Sequence, residues 1–396
     1  MAERAFFLRI SYLGTHMNRA FLLTFWVLTI FSGCKNPDND ANAKVDRVQM
    51  ALDSLVSENQ VPGVSFAMVF QDQTLKSYAS GYADVHQRIL MTPGHVMFSG
   101  SVGKTYAVAL LMQLLDQGLF DLGDKIIDYF PDVEWMKMLP NIQEITIEML
   151  LQHTSGLPRY VMKPEIWDTL HKYPDKVWSY QERLKVIFGD DPLHEAGKGW
   201  DYSDTNYMLL GMLIEKLSEQ AYYDLLFSKI LVPEGLTRTF ASNRRDLPGL
   251  PIGYSDLPEW FQMPQEVVVD GLYAFNPQLE WTGGGLASTT SDLAQWARIY
   301  YTGKLFSDES LQKIITPNSQ AKNLDPIMSY GMGSFIYKTK HGLAYAHTGF
   351  VPGFNSIFAY YPDLDLAVAL QVNCDYAAKK IPLIDYLDAL LGSDMK

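Results

Sequence analysis

The chain of 396 residues holds only two cysteines, Cys34 and Cys374, so no disulfide framework serves as its scaffold. It has 32 Lys+Arg against 45 Asp+Glu, a formal net charge of −13, and no basic run. That balance excludes the electrostatic footprint of a nucleic-acid binder and suits solubility. The eight histidines show no metal-ligand spacing such as His-Glu-x-x-His. A metallo-hydrolase is disfavoured, and the expectation is no metal and no cofactor. No internal repeat or low-complexity block appears, which argues against solenoid architectures. What is present is an ordinary globular composition, 47% hydrophobic, long enough for one large domain or two smaller ones.

The first residues read as a targeting segment. Residues 20–31 are almost wholly apolar yet too short for a confident membrane span. Arg19 precedes them, and the small residues Ser32 and Gly33 come just before Cys34. This is the layout of a cleavable secretory signal. With cysteine after the small residues, it resembles a bacterial lipoprotein signal. The expectation is a signal peptide over residues 1–33, with Met17 as an alternative start, lipid on Cys34, and a tether over 34–43. The protein would then sit at the bacterial cell envelope, facing the periplasm or the cell surface. An uncleaved signal anchor is the alternative. Cys374 follows an apolar run and reads as a small buried hydrophobe.

Val45, Val48, Leu52, Leu55 and Val56 recur at helical spacing. Residues 64–70 and 75–82 read as paired strands, and residues 333–337, 343–347, 354–361 and 366–372 as further strands. Between them the pattern is more helical, with helices expected over 145–152 and 208–217, a flexible turn at 281–286, and a helix starting at Ser291-Asp292. Residues 381–391 read as a closing helix. The fold class is therefore α/β (α+β). An antiparallel sheet is built from both termini and flanked by N- and C-terminal helices, with a mostly helical lobe inserted. Residues 44–396 form one domain, with a sheet lobe over about 44–100 and 286–396 and a helical lobe over about 101–285.

The chemistry centres on Ser101-Val102-Gly103-Lys104. The run from Tyr106 to Leu115 is apolar on nearly every face, so it reads as a buried helix, closed by Gly118. Lys104 lies one turn from Ser101, within reach of its hydroxyl. A serine hydroxyl needs a neighbouring base, and a desolvated lysine can be one. The same spacing recurs at Ser32/Lys35, Ser310/Lys313, Ser319/Lys322 and Ser393/Lys396, so spacing alone decides nothing. Only Ser101 opens a long buried helix. The bland alternative is a capping serine with a solvated lysine.

Two further motifs follow in order: Tyr202-Ser203-Asp204-Thr205-Asn206-Tyr207 and His347-Thr348-Gly349. Together with Ser101 and Lys104 they resemble the serine β-lactamase and penicillin-binding-protein superfamily, nearest its class C branch with its esterases and D-amino-acid-specific peptidases. The phrases Leu151–Leu157 and Gly284–Thr289 support the likeness, which spans about residues 45–391. The resemblance implies that Ser101 is acylated and that Lys104 and Tyr202 share the proton traffic. It implies that the backbone N–H groups of Ser101 and Phe350 hold the oxyanion, and that Asp204, His347, Thr348 and Gly349 contact substrate, Gly349 by letting the strand approach closely. Asp204 stands where β-lactamases of this branch have asparagine, and an ionised aspartate only accepts hydrogen bonds. It would also keep Lys104 charged and shift the base role to Tyr202. His347 stands where many relatives have lysine, and a histidine charges only as pH falls through its pKa. His153 reads as a structural hydrogen-bonding residue. The expected activity is hydrolysis of an ester or amide in a small molecule or peptide. The alternatives are a β-lactamase or D-Ala-D-Ala carboxypeptidase and, from another class, a non-catalytic ligand-sensing module. The sequence leaves the oligomeric state open.

Overall fold

A computed structural model describes residues 37–321, 324–380 and 382–392. The signal peptide and the lipid site at Cys34 lie outside the described residues. No helix among the described residues is long and apolar enough to cross a membrane.

The strands, in chain order, are β1 (Gly63–Val69), β2 (Leu75–Asp84), β3 (Ile89–Leu90), β4 (Met97–Phe98), β5 (Thr239–Ala241), β6 (Val268–Val269) and β7 (Leu272–Tyr273). They continue with β8 (Leu286–Ser288), β9 (Met328–Tyr330), β10 (Phe335–Thr339), β11 (Gly342–Val351), β12 (Phe354–Tyr361) and β13 (Leu366–Val372). The main sheet runs β3-β2-β1-β13-β12-β11-β10-β9, so the first and last segments of the fold meet at the β1–β13 pair. The expected sheet from both termini is what forms. A small sheet, β4-β8-β5, carries the chain from the main sheet into the helical region. A hairpin of β6 and β7 stands apart.

The alternation of side chains explains why this sheet is covered on both faces. Val64, Phe66 and Met68 of β1, with Leu366, Val368 and Leu370 of β13, face one hydrophobic core. That core is closed by Val48, Leu52 and Leu55 of the Pro37–Asn59 helix and by Leu387 and Leu390 of the Leu383–Leu391 helix. The opposite face carries small residues, Ala67, Ala367 and Ala369. They let the Thr290–Tyr301 helix lie close on the sheet, where Ser65 and Thr290 share a 2.6 Å hydrogen bond.

Three local readings change. The Asn/Asp/Pro-rich stretch expected as a tether belongs largely to the helix that begins at Pro37. Proline in the first turn lacks only an N–H that has no partner there. The helix expected over 145–152 is a single short one, Ile147–Leu151, capped by the Thr146 hydroxyl. The glycine-rich stretch expected as a flexible turn is a buried helical turn, Trp281–Gly283.

Candidate active site

Strand β4 ends at Phe98, and the chain turns through a tight helical turn, Gly100–Val102, into the buried Gly103–Asp116 helix. Ser101 sits in that turn at the wall of a cavity of about 680 Å³. The turn is fixed from below. The Ser356 hydroxyl donates to the Ser99 carbonyl at 2.7 Å, and the Ser99 hydroxyl donates to the Leu286 carbonyl at 2.8 Å. Gly100 has φ +51°, and a Cβ there would fall 2.5 Å from the Phe350 nitrogen. A Cβ on Gly349 would fall 1.8 Å from the Ser99 carbonyl oxygen. The close approach that Gly349 permits is thus to the nucleophile turn. The helix behind is held by the Trp296 indole, which stacks on Tyr106 at 4.0 Å and donates to the Thr105 hydroxyl at 2.8 Å.

Lys104 is fully buried. Its amine donates to Ser101 Oγ at 3.0 Å, to Asp204 Oδ1 at 2.7 Å and to the Gly283 carbonyl at 2.5 Å. An ammonium has three protons, and these bonds use all of them. Burial pulls its pKa down, but Asp204, Tyr202 and Glu280 outweigh that and hold it above the usual lysine value. Lys104 is therefore an ammonium in the resting site.

Tyr202 places its ring 5.0 Å from the Lys104 amine. Its hydroxyl is buried beside Ser101 and Lys104 and completes no well-formed hydrogen bond. Burial raises the phenol, and the Lys104 charge offsets only part of that rise. Behind the ring, His153 lies 4.2 Å away. Its Nδ1 accepts the Ser203 backbone N–H at 3.2 Å, the structural role expected of it. Burial, then the Lys104 charge, keeps His153 neutral.

Of the expected substrate contacts Asp204 and His347, the second is corrected here. Asp204 is almost fully buried, and both of its oxygens are engaged: Oδ1 by Lys104, Oδ2 by Arg159 Nε at 2.9 Å and Nη2 at 2.6 Å. Burial alone would raise its carboxyl, but Arg159 and Lys104 hold it well below the usual range. Asp204 is the counter-ion of Lys104 and Arg159 and also lines the cavity. His347 is fully buried among Tyr330, Phe335 and Tyr202, and its side chain does not line the cavity, whereas Thr348, Gly349 and Phe350 do. Its Nδ1 donates to the Thr348 carbonyl at 2.7 Å. Burial, then Lys104, pushes it down to about 3, so it carries no charge near neutral pH and titrates no substrate contact there.

Sequence reasoning missed two residues. Arg159 follows the His153–Pro158 phrase directly, and no motif pointed to this second cation on Asp204 beside Lys104. Glu280 also lines the cavity. Among the described residues, no group of His, Cys, Asp and Glu is arranged to hold a metal ion.

A family model for beta-lactamase matches residues 48–393. The chain belongs to the β-lactamase family. Members of this family are serine hydrolases, so the protein is an enzyme of that class. It is 25% identical to penicillin-binding protein 4* of Bacillus subtilis over 81% of this chain and 70% of that protein. It is 24% identical to protein flp of Staphylococcus aureus over 88% of this chain and 66% of that one. The chain thus spans about two thirds of the length of these relatives. The fold matches a D-stereospecific amidohydrolase from Streptomyces, with TM-score 0.74 and 24% identity over 86% of this chain and 97% of that one. It also matches a D-amino acid amidase from Ochrobactrum anthropi, with TM-score 0.73 and 25% identity over 88% and 98%.

Proposed function

We propose that this family member hydrolyses amides or esters of D-amino acids through an acyl-enzyme on Ser101. The observation that carries the reading is the Lys104 amine 3.0 Å from Ser101 Oγ at the cavity wall, with the Tyr202 hydroxyl beside both. Ser101 Oγ attacks the substrate carbonyl carbon, and its proton passes to Tyr202 in the phenolate form, which the Lys104 ammonium stabilises. The carbonyl oxygen becomes an oxyanion held by the backbone N–H groups of Ser101 and Phe350. Tyr202 then gives the proton to the leaving amine or alkoxide as the C–N or C–O bond breaks. Water, deprotonated by Tyr202, attacks the acyl-enzyme, and Ser101 leaves with the proton.

The amide reading is supported against β-lactams by charge. A β-lactam and a D-Ala-D-Ala peptide both present a carboxylate. Among the described residues lining the cavity, Arg159 and Lys163 are the cations, and Asp204 and Asp190 already pair with them. The solved structures that share the fold include enzymes named for D-amino acid amides. As part of the same proposal, lipid on Cys34 tethers the enzyme at the cell envelope, on the strength of the residue order from Arg19 to Cys34. A Cys34→Ser protein that still partitions into detergent contradicts the tether.

The substrate test is a comparison of D- and L-phenylalanine amide with nitrocefin. The expected result is turnover of the D-amide, preferred by about tenfold or more over the L-amide, with nitrocefin much slower. Efficient nitrocefin hydrolysis without amide turnover contradicts the reading.

A further inference from the structure

A second cavity, of about 620 Å³, shares no lining residue with the Ser101 cavity. Gln278 and Trp281 line it, whereas Glu280 between them lines the Ser101 cavity, so one stretch of chain divides the two. Arg183, in the short Tyr180–Leu184 helix, lines this second cavity and is only 1% exposed. Arginine is seldom buried so deeply without an acidic partner. Its Nε donates to the Leu279 carbonyl at 3.1 Å and its Nη2 to the Gln278 carbonyl at 2.9 Å. Among the described residues, Nη1 has no hydrogen-bond partner and the guanidinium makes no ion pair. Burial pulls its pKa down, as expected of a charge held in the interior. Trp178 lines the same cavity, and its backbone N–H donates to Gln278 Oε1 at 2.9 Å, so Gln278 ties both residues. The Trp178 side chain is buried, and its Nε1 also has no partner among the described residues. Two buried donors without an acceptor thus line one cavity. Glu215, the acid in that lining, is committed elsewhere: it accepts from the Tyr180 hydroxyl and from the Tyr222 backbone N–H.

We propose that this cavity is a second binding site, for a monocarboxylate on an apolar body, whose carboxylate accepts from Arg183 Nη1 and Trp178 Nε1. A carboxylate has lone pairs for both donors, and its bond to a guanidinium is charge-assisted. Water would satisfy the hydrogen bonds but not the charge. One cation and one neutral N–H match a single negative charge, whereas a phosphate dianion would bring a second charge with no partner into a buried site. The other walls are aromatic: Trp281, Tyr180 and Tyr223, with the guanidinium carbon 5.8 Å from the Trp281 ring centroid. They offer flat apolar surface to the body of the ligand. The exposed Val177 and Asn243 stand at the rim, where the ligand enters. This site does not depend on acyl transfer at Ser101. It touches the same framework, because Arg183 holds the Gln278 and Leu279 carbonyls and the chain runs on to Gly283, whose carbonyl accepts from Lys104.

The test titrates the natural protein with phenylacetate and with phenylacetamide, its neutral counterpart of the same shape, by calorimetry. Phenylacetate should bind about tenfold or more tightly than the amide. A crystal of the natural protein grown with 4-bromophenylacetate should then show the anomalous bromine signal in this cavity, with the carboxylate on Arg183. Trp178→Phe keeps an aromatic ring and removes the N–H. It should weaken phenylacetate by about tenfold and leave phenylacetamide unchanged. Equal affinity for the acid and the amide overturns the proposal without relying on any variant. So does bromine found in the Ser101 cavity alone, or bromine in this cavity with no binding in solution, which would be binding at crystal concentration only. Unchanged phenylacetate affinity in a folded Trp178→Phe protein overturns it as well, because the indole would then not be a donor to the ligand.

Discussion

Lys104 shows how single residues set the chemistry. Its ammonium is anchored by Asp204 and Gly283, so its remaining donor, aimed at Ser101, stabilises negative charge and leaves proton acceptance to Tyr202. Tyr202 accepts a proton only as phenolate, and its phenol is raised above the usual value. The fraction in base form thus grows about tenfold per pH unit below that pKa. For p-nitrophenyl acetate, with the uncatalysed rate subtracted, kcat/KM should climb steadily from pH 6 to 9. His347 should leave no inflection near 6.5, because it is pushed down to about 3. An inflection near 6.5 that disappears in His347→Gln contradicts this assignment. The same shift has a stability sign. With the folded pKa below the unfolded one, burial of neutral His347 contributes fully above pH 6.5 and is lost as pH falls towards 3, by up to about 1.4 kcal/mol per unit. Unfolding of His347→Gln should therefore show a shallower acid limb. Ser101, Lys104 and Tyr202 were legible because residues one helical turn apart, and short phrases around them, leave a spacing in the sequence. Arg159 and Glu280 were not. A counter-ion 45 positions from its partner, as Arg159 is from Asp204, leaves no spacing to read.

At the scale of elements, strands were read more accurately than turns. The β12 and β13 boundaries coincide with the β-rich runs of the sequence, because each strand is packed on both faces and its apolar pattern is continuous. The Trp281–Gly285 stretch misled, because glycines read as freedom where here they permit contact. Gly283 lends its carbonyl to Lys104, and Gly284 packs on Gly100. The site is therefore built where three backbones touch: the nucleophile turn, this glycine stretch and β11. Gly349→Ala should force β11 away from the Ser99 carbonyl and displace Ser101. A displacement near 1 Å costs about 10² in rate, so kcat should fall by that order with little change in KM. Gly118→Ala is the control. Gly118 has positive φ, +70°, and nothing lies within 4 Å of its added Cβ. It should cost about 1 kcal/mol of stability and leave kcat intact. Equal kcat loss in both variants, or none in Gly349→Ala, would show that close approach does not set the geometry.

At the scale of the whole molecule, the active site depends on both ends of the chain. β1 and β13 join at the centre of the main sheet, β11 supplies the wall opposite Ser101, and the inserted helical region supplies Lys104, Tyr202, Arg159 and Glu280. That architecture was visible in the sequence as strand patterns at both ends with helical periodicity between them. The cavity's charge was not visible, because it depends on which acids of a chain with net charge −13 face inward. The central claim is that this whole assembly exists to make Ser101 a nucleophile. Intact-protein mass spectrometry after fluorophosphonate treatment tests it most directly. The account predicts one adduct per chain, mapped to the Ser101 peptide and absent from a folded Ser101→Ala protein. An adduct that persists in Ser101→Ala, or an active natural protein that forms none, would contradict it.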